Sequence, residues 1–227
     1  MHIFYLHGFA SSAKSTKAAY FAARFREHGI TLHTPDFNEP DFPTLTITRM
    51  IDQVTAAISA LPAGPIVLIG SSLGAFVAVQ TAVRLTRPTP AATGEPVAAS
   101  HPVERMVLLA PALDFSAKRT RDLGDRGLDE WKTTGQLNVF HYGFGRLIPV
   151  HYDLYSDACG YDCVNATLTM PIQIFQGRQD TAVDPALVER WARARANVEL
   201  HLLDDDHQLA RSLDHIWREV SRFLAID

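Results

Sequence analysis

Ile66-Val67-Leu68-Ile69-Gly70-Ser71-Ser72-Leu73-Gly74-Ala75 runs an unbroken apolar stretch into a turn of small residues and then into Phe76-Val77-Ala78-Val79. The first half reads as a strand buried on both faces, and the second half opens a helix. Between them lies Gly-x-Ser-x-Gly, with Ser72 at its centre. A sharp strand-to-helix turn can present one hydroxyl above the edge of a sheet. Glycines two residues either side relieve the crowding where strand and helix backbones meet. The N-terminus of the helix adds partial positive charge beside the hydroxyl, where an oxyanion would form. Only Ser72 has both glycines at these offsets, so Ser71 is its neighbour and not its rival. Composition alone would produce such a triplet in a chain of this length on the order of a few per cent of the time. The flanking strand and helix make accident rarer.

Outward from this turn, short apolar runs alternate with longer amphipathic ones. Strands are expected at Ile3–Leu6, Thr31–Thr34, Ile66–Ile69, Met106–Leu109, Ile172–Phe175 and Glu199–Leu203. Helices are expected at Lys17–His28, Leu45–Ala60, Leu73–Leu85, Ala186–Arg195 and Leu209–Ala225. Asp184-Pro185 reads as an N-cap followed by proline in the first turn. The pattern implies an α/β fold whose mostly parallel sheet of about six strands is covered by helices on both faces.

Two stretches interrupt the rhythm. Arg87 to Val103 is rich in proline and alanine and reads as a surface connection. Asp114 to Thr169 is too long for a plain connection and carries Phe115, Trp131, Phe140, Tyr142, Phe144, Tyr152, Tyr155 and Tyr161. Within it, Val139-Phe140-His141-Tyr142 and Arg146-Leu147-Ile148-Pro149-Val150 flank Gly143-Phe144-Gly145, as in a β-hairpin. The reading is therefore a single domain, 1–227, with a cap-like insertion at 114–169. Aromatics facing Ser72 would make the insertion a substrate cap, and exposed aromatics would make it a partner surface.

Bulk composition narrows the function. A chain of 227 residues, 47% hydrophobic and 20% charged, can bury an ordinary core. Its net charge of −4 supplies no basic field for nucleic acid or anionic lipid. No apolar run is long enough to span a membrane, and the opening Met1-His2-Ile3-Phe4-Tyr5-Leu6-His7-Gly8 lacks the form of a signal peptide. A cytoplasmic location is expected. Cys159 and Cys163 have no further ligands at metal-binding spacing and read as packing or surface residues.

Strand, elbow and flanks resemble the α/β-hydrolase superfamily over essentially the whole chain apart from the insertion. Tyr5-Leu6-His7-Gly8-Phe9-Ala10-Ser11-Ser12 resembles the loop after an early strand in small cytoplasmic serine esterases. The resemblance implies that the Phe9 and Leu73 amides form an oxyanion hole. His7, just before Gly8, reads as a residue that holds its loop, with a part in catalysis as the rival reading. His207, after Leu202-Leu203-Asp204-Asp205-Asp206, occupies the place of the family's histidine. His101, His141, His151 and His215 lie in the connection, the insertion and the last helix. Phe175-Gln176-Gly177-Arg178-Gln179-Asp180 ends a strand and selects Asp180 as the acid. Asp184 is explained by its capping duty, and Asp204, Asp205 and Asp206 read as turn residues, one of which could orient the base loop. The order Ser72, Asp180, His207 agrees with that of the superfamily.

The implied activity is that of a serine hydrolase cleaving a carboxylic ester of a small molecule, through an acyl-enzyme on Ser72 and without cofactor or metal. Thioesterase, amidase or peptidase chemistry on the same residues is the first alternative, and a non-catalytic ligand-binding homologue the second. Ser72 in place of aspartate argues against dehalogenation. With no room for strands before Ile3, the fold should be a trimmed version of the larger hydrolases.

Overall fold

A computed structural model describes residues 1–86 and 100–226. The elements run β1 (His2–Leu6), α1 (Thr16–Glu27), β2 (Leu32–His33), α2 (Ile47–Ser59), β3 (Ile66–Ser71), α3 (Leu73–Thr86), β4 (Val103–Leu109), α4 (Phe115–Thr134), β5 (Gln136–His141), β6 (Arg146–His151), α5 (Asp153–Ala158), β7 (Ile172–Gly177), α6 (Pro185–Arg193), β8 (Val198–Leu203) and α7 (Leu213–Leu224). Six strands form one sheet in the order β2-β1-β3-β4-β7-β8, every pair parallel. The remaining two, β5 and β6, form an antiparallel hairpin. The proline-rich connection lies, over residues 87–99, outside the described residues.

Strand alternation builds the layers. In β1, Phe4 and Leu6 face a core shared with α2, α3 and α6, while Ile3 and Tyr5 face a second core shared with α1 and α7. In β3, Leu68 joins the first core and Val67 and Ile69 the second, so the strand is buried throughout. This two-sided burial is why the strand is continuously apolar. Its neighbour α3 is also apolar all round: every residue from Leu73 to Ala82 is buried, because the helix is covered by the sheet on one side and by other helices elsewhere.

Two helices start later than expected, each for a local reason. Thr46 accepts the Arg49 N–H and caps α2, so Leu45 stays outside it. Residues ahead of α7 are taken up by a turn in which Leu209 adopts φ 54° and Asp205 captures the Ser212 N–H. The insertion contains the expected hairpin, with Tyr142-Gly143-Phe144-Gly145 as its turn and Gly145 at φ 66°. It also contains α4, which the sequence reading left unassigned. Only Phe115 and Trp131 of that helix are buried, and Gly124, at φ 63°, breaks it. Such a sparse apolar face gives little periodic signal.

Candidate active site

Ser72 sits between β3 and α3 with φ 53°. A non-glycine residue in this left-handed region stores strain of about 1–3 kcal/mol, held in place by its surroundings. Those surroundings are tight. A Cβ on Gly74 would fall 2.0 Å from the Leu6 carbonyl oxygen, and one on Gly70 would fall 2.5 Å from the Ala75 Cα. Both positions therefore require glycine so that β1, β3 and α3 can approach. The Ser72 N–H donates to the Leu109 carbonyl at 2.9 Å and its carbonyl accepts the Ala112 N–H at 3.2 Å, tying the turn to the end of β4.

The ends of β7 and β8 supply the partners. His207 Nε2 lies 3.1 Å from Ser72 Oγ, and His207 Nδ1 lies 2.8 Å from Asp180 Oδ2. Asp180 is 7% exposed. Its Oδ1 accepts the Ala182 and Val183 N–H groups, both at 2.8 Å, and Oδ2 also accepts from Gln176 Nε2 at 2.9 Å. Burial by itself would raise the Asp180 pKa, but the hydrogen bonds from His207, the Val183 amide and Gln176, with the His207 charge, hold it below the ordinary carboxylate value. A carboxylate fixed in this way donates nothing and accepts a hydrogen bond from the Nδ1–H of His207. The Nε2 lone pair is then directed at the Ser72 hydroxyl. A serine so arranged can pass its proton to the ring as it attacks an electrophile.

The loop carrying His207 has its own supports. Asp205 is 1% exposed and accepts from the Ser212 N–H, the Ser212 hydroxyl and the Asp206 N–H. Of the three consecutive aspartates, it is the most deeply buried brace of this loop, and Asp206 adds a second by accepting the Gln208 N–H at 2.8 Å. Lys17, from α1, donates to the Gln208 carbonyl at 2.8 Å. Burial pulls the Lys17 pKa down to about 8, against the opposing pull of Asp206, Asp180 and Asp205. Asp184 caps α6 through the Ala186 N–H, as its position before Pro185 implied.

On the other side of Ser72 runs the β1–α1 loop. A Cβ on Gly8 would lie 3.3 Å from Ser72 Cβ, so this loop passes directly beside the serine. His7 is buried. Its Nδ1 bonds the Gly8 carbonyl at 2.9 Å and its Nε2 receives the Phe37 N–H at 3.0 Å. It is occupied in holding the loop and does not contact Ser72. The Phe9 and Leu73 N–H groups donate to no protein acceptor among the described residues.

Sequence reasoning missed Gln176, Lys17 and Arg119. Gln176 carried a signal, a polar residue in an otherwise apolar buried strand. Lys17 and Arg119 carried none, since each acts across the fold from a distant segment. Arg119 Cζ lies 5.1 Å from the Phe9 ring centroid and 5.3 Å from that of Phe115.

The insertion's aromatics divide. Phe115 lies over the site side, 6.3 Å from Phe9 and 6.4 Å from Phe76 between ring centroids. Trp131 is 2% exposed and donates to the Val150 carbonyl. Tyr152, Tyr155 and Tyr161 pack partly buried against the core. Phe140, Tyr142 and Phe144 are exposed on the hairpin. Cys163 is buried, Cys159 is exposed, and both are free thiols. Among the described residues no three His, Cys, Asp or Glu side chains converge to hold a metal ion, and no helix is long and apolar enough to cross a membrane.

Two crevices are found among the described residues, and one of them borders this region. One, of about 350 Å³, runs between Lys118 and Arg121 on α4 and Asp180, Thr181 and Ala182. A larger one, of about 700 Å³, lies between residues 164–168 and α6, and none of Ser72, Asp180 and His207 lines it. The hydrogen-bonded chain and not the crevice volume locates the candidate active site.

The sequence matches the model of an uncharacterised protein family, UPF0227, over residues 2–89. No curated protein matches it. Among solved structures, a candidate hydrolase from Agrobacterium vitis S4 is similar with TM-score 0.80 and 23% identity, over 97% of this chain and 87% of that one. Alpha/beta hydrolase domain-containing protein 10 from mouse is similar with TM-score 0.78 and 17% identity, over 99% and 89%. Est1E from Butyrivibrio proteoclasticus, solved with ferulic acid bound, is similar with TM-score 0.75 and 17% identity, over 98% and 87%. The chain has the α/β-hydrolase fold, in a version whose main sheet has six strands.

Proposed function

We propose that this chain of α/β-hydrolase fold is a serine hydrolase cleaving a carboxylic ester through an acyl-enzyme on Ser72. The observation that carries the reading is the continuous chain from Ser72 Oγ through His207 to a buried, fully hydrogen-bonded Asp180. Ser72 Oγ attacks the ester carbonyl carbon as its proton passes to His207 Nε2. Asp180 stabilises the imidazolium that results. The Phe9 and Leu73 amides, without protein acceptors among the described residues, receive the oxyanion, and the positive end of α3 assists them. Collapse of the tetrahedral intermediate breaks the bond to the alcohol oxygen, which takes the proton from His207. Water then gives a proton to His207 and attacks the acyl carbon. The bond to Ser72 Oγ breaks, the acid leaves, and the serine regains its proton.

In this reading residues 114–169 form one wall of the substrate crevice, through Phe115 and Arg119 where α4 passes over Phe9. The substrate is a small molecule, and the site works in a cytoplasmic protein without metal or organic cofactor. Neighbours described as hydrolases and esterases support the choice over a ligand-binding role. Thioester or amide cleavage would use the same atoms, with the choice of leaving group set by the crevice walls.

The test is intact-mass analysis after exposure to a fluorophosphonate. The native chain should gain one adduct, Ser72→Ala none, and His207→Ala an adduct only slowly. A folded native chain that gains no adduct and turns over no activated ester would overturn the reading.

A further inference from the structure

The first turns of α4 carry Lys118, Arg119 and Arg121 within four residues. Two of these cations are matched. Lys118 Nζ holds both oxygens of Asp122, at 2.8 and 3.0 Å, and Arg121 pairs with Asp114. Arg119 differs. Among the described residues it makes neither an ion pair nor a hydrogen bond, although it is half-buried. Its guanidinium instead lies against the Phe9 and Phe115 rings. Those rings flank the nucleophile: Phe9 follows Gly8, which packs on Ser72, and Phe115 touches Phe76 in the first turn of α3.

We infer that Arg119 determines specificity at this site by binding a carboxylate on the substrate, so that the preferred ester is anionic. The inference rests on Ser72 acting as the nucleophile. Contact with two aromatic rings gives a guanidinium cation–π attraction, but leaves its N–H donors without acceptors. The planar edge of N–H groups on a guanidinium matches the two oxygens of a carboxylate. A brace for Phe9 alone would need only an apolar side chain, which would carry no desolvation penalty. Burial pulls the Arg119 pKa below the usual arginine value, with Asp122 opposing. It remains a cation at any working pH.

The experiment compares esters that differ only in charge. One pair is 4-nitrophenyl hydrogen adipate and methyl 4-nitrophenyl adipate, with the carboxylate on the acyl side. The other is 4-acetoxybenzoate and its methyl ester, with the carboxylate on the alcohol side. On one of the pairs native kcat/KM should favour the anion by about tenfold or more, as expected for a charged hydrogen-bonded pair. In folded Arg119→Met the anion-to-neutral ratio should collapse to about one, whatever the absolute turnover of the neutral ester, and Arg119→Lys should retain part of it. Because Arg119→Met could unfold, adipate is also tested on the native chain, where it should inhibit neutral-ester turnover competitively and less so at high salt. Native preference on neither pair, a preference that survives in folded Arg119→Met, or no inhibition by adipate would overturn the inference. Turnover of neutral esters in those cases would leave the hydrolase reading standing. No turnover of any ester, together with no fluorophosphonate adduct, would remove both.

Discussion

The strand-end cluster and the 114–169 insertion are built on opposite terms. Around Ser72, backbone sterics specify almost everything: glycines where chains nearly touch, a serine at φ 53°, and a carboxylate with four hydrogen bonds. The insertion is specified by scattered side chains. Trp131 anchors α4 to the hairpin, and Thr48 on α2 holds Asp157 and Tyr161, while Phe140, Tyr142, Phe144 and Leu147 face outward. On the proposed reading, the chemistry sits where the backbone leaves no freedom, and selectivity sits where side chains can change without disturbing the sheet.

The largest break in that contrast is expected from Asp180→Asn. The amide keeps the shape but turns an N–H toward His207, favouring the wrong tautomer. Ester turnover should fall by about 10⁴-fold with little change in melting temperature. A drop below tenfold would show that Asp180 is only structural. Next is Trp131→Ala, which removes the anchor of the insertion and should cost about 3–5 kcal/mol in urea unfolding. The exposed Tyr142→Ala, as its control, should stay within about 0.5 kcal/mol. Equal effects would mean that the hairpin surface is buried against something in solution.

A smaller effect concerns the base loop. Burial opposes ionisation of Asp205, but its bonds to Ser212, the Asp206 amide and Arg211 win and hold its pKa below the ordinary carboxylate value. The folded state thus binds this proton less readily than the unfolded chain. The stabilisation is fully present above the ordinary carboxylate value and is lost as pH falls through the lower folded value. Asp205→Asn should lower stability at neutral pH by about 1–3 kcal/mol and flatten its decline in acid, as followed by circular dichroism. An unchanged acid limb would place the titrating groups elsewhere.

Legibility followed the same division. Strand positions were readable because two-sided burial forces continuous apolar runs, and the elbow because only glycine fits its flanks. Helix ends shifted where a side chain captured a backbone amide, as with Thr46 and Asp205. Helix α4 stayed hidden because it buries little, and Gln176 showed only as a polar residue in an apolar strand.

The sequence by itself determined the order of the βα units, the elbow at Ser72 and the positions of Asp180 and His207. Each depends on neighbours close in the chain: alternation, a glycine offset, a strand followed by a turn. Only the tertiary structure decided that Lys17 and Asp205 brace the base loop, that His7 is occupied with Phe37, and that Arg119 lies on Phe9. These pairings join segments up to 191 residues apart. Local pattern does not encode them, because they exist only once the parallel sheet has brought the strand ends together.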